Sequence, residues 1–134
     1  MSIMADWDVA VLSILASALL SGLVAVAISS WYHNRSERRR EKFEMFERLI
    51  GNRYNLHGDA FSEAINSVFV VFHDSDEVKR AVMGWHEVAM RADRTPQEAN
   101  QRLLVLFKAM AKNLDINTEP LTDNIFLEVY NARP

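Results

Sequence analysis

From Val9 to Ile28 the chain runs for 20 residues without a charge, and eleven of these are Leu, Ile or Val. As a helix the run spans roughly 30 Å, the thickness of the hydrocarbon core of a bilayer. Each large aliphatic residue favours insertion by about 0.3 to 0.6 kcal/mol, and no charge opposes them. The remaining chain is too short to bury a helix that is apolar on every side, so the pattern predicts a membrane helix over residues 9–32. Residues 1–8 are then a short tail on the far side. Residues 33–42 are polar all round and read as a basic juxtamembrane extension of the same helix.

Beyond that point the apolar residues recur at helical spacing. Phe43, Phe46, Leu49 and Ile50 form a first stripe, and "NRYNLHGD" reads as a turn ending at Gly58. A second helix begins with Asp59 as its N-cap and gathers Phe61, Ala64, Ile65, Val68, Phe69 and Phe72 on one face. In "HDSDE", Asp74 or Ser75 can cap the next helix, whose buried side is Val78, Ala81, Val82, Trp85, Val88 and Ala89. "TPQE" is the sharpest boundary: Thr95 caps, Pro96 takes the first helical position and Glu98 completes a capping box. Leu103, Leu104, Phe107, Met110, Ala111 and Leu114 follow on one face. The prediction is an all-α protein: one membrane helix continuing into a small cytoplasmic bundle over residues 43–116. Residues 117–134 form a short helical turn and an extended tail.

Charge sets the orientation. The start of the chain carries Asp6 and Asp8 and no base, whereas five of the eight residues from Arg35 to Lys42 are basic. A cleaved export signal has the opposite polarity. Positive charge stays on the cytoplasmic side, which places the N-terminus outside an inner membrane and the bundle in the cytoplasm. Trp7 marks one membrane interface; Trp31 and Tyr32, followed by Arg35, Arg38, Arg39, Arg40 and Lys42, mark the other. The basic cluster has a plain topological role and attracts anionic lipid heads. In an oligomer it would also form a positive vestibule suited to anions or a nucleotide. Arg48, Asn52 and Arg53 are a further candidate for a phosphate-bearing ligand.

Enzyme chemistry finds no support. There is no cysteine, the net charge is −3, and the four glycines form no phosphate loop. "HEVAM" begins like a zinc-protease helix, but Met90 stands where the second histidine is needed. His33, His57, His73 and His86 lie on separate elements, and no catalytic residue, metal or cofactor is implied. More informative is the strip Ser13, Ser17, Ser21, Ala25 and Ser29, small residues recurring every four positions. In lipid such a strip packs helices closely and allows hydroxyls to bond across the interface. A serine can equally bond to its own preceding turn, in which case the spacing has no further meaning. With four or more parallel copies, the strip could instead line a narrow wet channel, since polar groups in a membrane face a bundle interior or water.

The stretch "FERLIGNRY…HGDAFSEAINSVFVVFHDSDEVKRAVMGWHEV…LLVLFKAMAKNLDI" resembles small uncharacterised bacterial proteins with one N-terminal membrane helix and a cytoplasmic helical domain. "AINSVFVVF" followed by "VKRAVMGW" is its most recognisable part. Proteins of this build resemble membrane effectors of anti-phage defence operons of the Hailong type. The resemblance implies a homo-oligomeric, pore-forming membrane effector controlled by an oligonucleotide signal from a partner nucleotidyltransferase. It implies no ligand residue, because no motif matches position by position. A membrane-tethered adaptor that docks a cytoplasmic protein is the alternative.

Overall fold

The computed structural model describes the backbone of residues 2–129 and the side chains of residues 6–129. Among these it is all-α and without strands: α1 (Ser2–Gly51), α2 (Asp59–Val71), α3 (Asp76–Ala89), α4 (Pro96–Asn113) and α5 (Asp123–Leu127). The chain divides into two compact units between Glu37 and Arg38.

The first unit is the N-terminal part of α1. It is long and apolar enough to cross a membrane, and none of its apolar window is buried within the chain. The predicted tail over residues 1–8 is helical from Ser2 onward, since neither glycine nor proline interrupts it. The side chains of its first five residues lie outside the described residues.

The second unit is built around one apolar core. Leu49 of α1, Phe61 and Val68 of α2, Val78 of α3 and Leu103, Leu106, Phe107 and Met110 of α4 are almost completely removed from water. Phe61 meets Trp85 edge to face at 6.1 Å, and Phe46 meets Phe107 at 6.4 Å. Most of the predicted stripes form this core, with three shifts. Phe43 is half exposed, and the buried positions on α1 are Lys42, Met45 and Leu49. Phe69 of α2 is 56% exposed instead of sharing the buried face. Leu106 and Ala109 join the core although they lie beside the predicted stripe of α4. The core face of that helix is therefore broader than the stripe, as befits a helix packed on more than one side.

The helix starts show how local chemistry sets boundaries. Ser75 accepts the Val78 amide, as its sequence position predicts. At Thr95 the full capping box forms: Thr95 Oγ1 accepts the Glu98 amide at 3.2 Å, and the Glu98 carboxylate accepts the Thr95 amide at 3.0 Å. That amide hydrogen bond, with Arg91 beside it, holds the Glu98 carboxyl below its ordinary range. Thr95→Ala should cost about 1 kcal/mol. A fall of roughly 4–8 °C in the thermal midpoint of the detergent-solubilised protein checks it.

The α2 start differs from the prediction by one residue. Gly58, not Asp59, is the N-cap, and no side chain caps this end. A Cβ at Gly58 would lie 2.6 Å from Asn55 Nδ2, a side-chain end that can swing away, and 3.2 Å from the Asn55 carbonyl oxygen, so a larger residue there requires a small local adjustment. Asp59 becomes the first helical residue, where its charge faces the positive end of the helix.

Helix α4 ends with Asp115 in the left-handed region (φ 56°), and the Ile116 amide reaches back to the Ala111 carbonyl at 2.9 Å. This is a Schellman-type end with aspartate where glycine is commoner. The predicted helical turn is α5, which seats Phe126 in the core. Of the predicted tail, residues 130–134 lie outside the described residues.

Candidate functional site

Ser13, Ser17, Ser21, Ala25 and Ser29 are all exposed on α1, and among the described residues none has a hydrogen-bond partner outside its own helix. Their spacing of four on a helix of 3.6 residues per turn makes a slowly winding strip. Three of the hydroxyls turn back onto their own helix. Ser13 Oγ donates to the Ala10 carbonyl at 2.8 Å, Ser17 Oγ to Ser13 at 2.8 Å and Ser21 Oγ to Ala18 at 3.0 Å. These three hydroxyls therefore place no unmet donor in a bilayer. They remain able to accept hydrogen bonds from outside.

The aromatic markers Trp7, Trp31 and Tyr32 are exposed at 70%, 62% and 71%. The Arg35 guanidinium lies over the Trp31 ring, 5.5 Å from its centroid, a cation–π arrangement. Arg38 is exposed, and Arg40 pairs with Glu44 one turn on.

Arg39 and Lys42 do not behave like the rest of the basic cluster. Arg39 donates to the Leu114 carbonyl at 2.8 Å and reaches Asp115 at 3.4 Å, placing a cation at the negative end of α4. Lys42 is buried: its Nζ donates to both Asp74 oxygens at 2.7 and 2.8 Å and to Asn113 Oδ1 at 3.1 Å, above the Phe72 ring. All three ammonium hydrogens are thereby matched. Hydrogen bonding from Lys42 holds the Asp74 carboxyl below its ordinary range, against the opposing effect of partial burial. Lys42 is thus a structural tie between α1, the α2–α3 turn and α4. Its predicted place among lipid-facing bases is corrected accordingly.

The suggested ligand trio also disperses. Asn52 Nδ2 donates to the Arg48 carbonyl at 2.7 Å. Arg53 donates to the Ile50 carbonyl and, across the bundle, to the Glu128 and Ile125 carbonyls at 2.7 and 3.4 Å, while its Nε is buried without a partner. The guanidinium closes the C-terminal end of α5 and is not presented to a phosphate. Arg48 alone stays exposed. Among the described residues no three of His, Asp and Glu converge as metal ligands. His86 and Met90 lie exposed on the α3 side of the bundle.

A surface that the sequence pattern conceals lies between α2 and α3. There Ile65 and Phe69 face Val82 and Met83 across a groove of about 800 Å³, rimmed by Lys79, Arg80, His86 and Glu87. Met83 is 68% exposed and Val70, beside Phe69, 59%. In a bundle of this size such a cluster is more than the scatter of single apolar side chains that any surface carries.

These features define an all-α protein with one helix fit to cross a membrane and a small helical bundle whose surface carries an apolar groove. The chain belongs to DUF6680, a family of unknown function, whose model matches residues 3–128. No curated protein and no solved structure matches it.

Proposed function

We propose that the protein is a single-pass inner-membrane protein that homo-oligomerises, with α1 crossing the bilayer and the serine strip facing an ion-conducting path. The observation that carries this reading is the exposed strip itself. Polar side chains fall at one spacing on a helix that is otherwise aliphatic and that nothing within the chain covers. A single copy cannot enclose a path, so four or more are required. The bases Arg35, Arg38 and Arg40 assign their end to the cytoplasm, leaving the N-terminus outside. The resemblance to membrane effectors extends the proposal to anti-phage defence, with release of the pore by a nucleotide or oligonucleotide signal. The occupied state of Arg53 argues against its being the residue that receives such a signal. Neither a cofactor nor an enzymatic step is part of the reading.

Expression freed from its regulator should depolarise cells, and the Ser17→Leu/Ser21→Leu pair should abolish the depolarisation while protein level in the membrane is unchanged. A voltage-sensitive dye reads the first and a membrane-fraction immunoblot the second. Undiminished depolarisation in the double variant would remove this pore wall.

The self-satisfied hydroxyls of Ser13, Ser17 and Ser21 favour a second reading, a membrane-tethered adaptor. A helix whose polar groups are already bonded to itself needs no neighbour and can serve as a plain anchor. Exchanging residues 9–28 for an unrelated membrane helix separates the two. An adaptor keeps its cellular effect and a pore loses it.

A further inference from the structure

The groove between α2 and α3 has a symmetry in its charges. On α3 the exposed ridge runs through Arg80, Met83, His86 and Glu87, with the half-buried Lys79 beside it. Two other acidic residues of α3 are neutralised within the chain, Asp76 by Lys79 at 2.7 Å and Glu77 by Lys112 at 2.9 Å. Among the described residues Arg80 and Glu87 make no ion pair. They stand seven residues apart, hence on the same flank of the helix, one turn to either side of Met83. A flank that reads positive, apolar centre, negative is complementary to itself when run in the opposite direction.

We infer that the groove is covered by a second copy of this chain, α3 packing antiparallel to α3 across a two-fold axis at Met83. This arrangement brings Arg80 beside Glu87 of the second copy, and by symmetry the same pair forms twice. Met83 meets its own counterpart at the centre, and Phe69 of α2 closes the side of the contact. It accounts together for three observations: the exposed phenylalanine on a helix whose other aromatic residue, Phe61, is buried, the exposed methionine, and two opposite charges left unmatched at this spacing. The inference deepens the proposed function by naming one surface through which copies assemble, and it rests on that reading only for the consequence of assembly.

The chain has no cysteine, so Met83→Cys introduces a single thiol placed at the proposed axis. In the detergent-solubilised full-length protein, mild oxidation should convert most of this variant into a covalent dimer. Val105→Cys, on the exposed side of α4, should not cross-link. Arg80→Glu and Glu87→Arg should each weaken association at least tenfold, read as a drop in particle mass by light scattering at matched concentration. The two changes combined in one chain should restore it, as should mixing the two single variants. That rescue distinguishes a lost contact from a lost fold. Failure of Met83→Cys to cross-link, or unchanged mass in Arg80→Glu, overturns the interface. Such a result leaves the pore reading standing if the wild-type particle is still oligomeric and depolarises cells. Cross-linking and rescue without depolarisation would sink the pore and keep the interface.

Discussion

Phe107→Ala is expected to remove about half of the stability of the bundle. The side chain is fully buried within the core and packs edge to face on Phe46 of α1. Truncating a buried phenylalanine costs roughly 3–5 kcal/mol, through lost transfer free energy and the cavity left behind. Domains of this size hold about 5–15 kcal/mol in total. Urea unfolding of the detergent-solubilised protein, followed by circular dichroism, should show a midpoint far below wild type. Phe43→Ala provides the contrast. That residue belongs to the same predicted stripe but is half exposed, and its loss should shift the midpoint little. Equal effects for the two would mean that α1 presents a different face to the bundle.

Asp74→Ala is the second large effect, and it carries a pH signature. It leaves the Lys42 ammonium buried with Asn113 as its remaining hydrogen-bonding partner. Removing one partner of a fully buried pair costs roughly 3–5 kcal/mol. Asp74 is itself 47% exposed, and water screens the pair from that side, so about 2 kcal/mol is the expected loss. The carboxyl of Asp74 is held below its ordinary range in the folded protein, first by the hydrogen bond from Lys42 and then by the lysine's charge. A depressed folded value means that the unfolded chain takes up the proton first as pH falls. The stabilisation is complete above the ordinary aspartate value of about 4 and disappears as pH drops through the lower folded value. Wild type should therefore lose stability relative to Asp74→Asn as pH falls below about 5 into the acid range, and the two should converge at the acid end. Parallel melting curves across that range would show that the tie contributes nothing.

Much of this architecture was legible in the residue order, and the exceptions share a cause. The boundary at Thr95 and the cap at Ser75 depend on groups within three residues of each other, so sequence displays both partners at once. The apolar run from Val9 to Ile28 needs no partner at all. Lys42 is different. Its burial depends on Asp74 and Asn113, which are 32 and 71 residues away, and helical spacing alone could not choose between a stripe beginning at Phe43 and one including Met45. A charged residue with a long aliphatic stem satisfies either reading until its partners are known. Arg53 was misplaced for the same reason, its carbonyl partners at Ile125 and Glu128 being 72 and 75 residues distant. Phe69 sits in "VFVVF", where apolar residues surround the helix and the pattern cannot say which side faces outward. The serine strip was visible as a spacing, but the direction of its hydrogen bonds was not.

That direction gives the strip a chemical polarity. A hydroxyl has one hydrogen and two lone pairs. In Ser13, Ser17 and Ser21 the hydrogen points down its own helix to a carbonyl. What these positions offer outward is therefore a ladder of electron-rich oxygens, one for each turn, with no hydrogen to give. In the ion-conducting path proposed above, halide ions would find no donor at these three positions, while alkali cations would meet oxygen lone pairs of the kind that form their hydration shells.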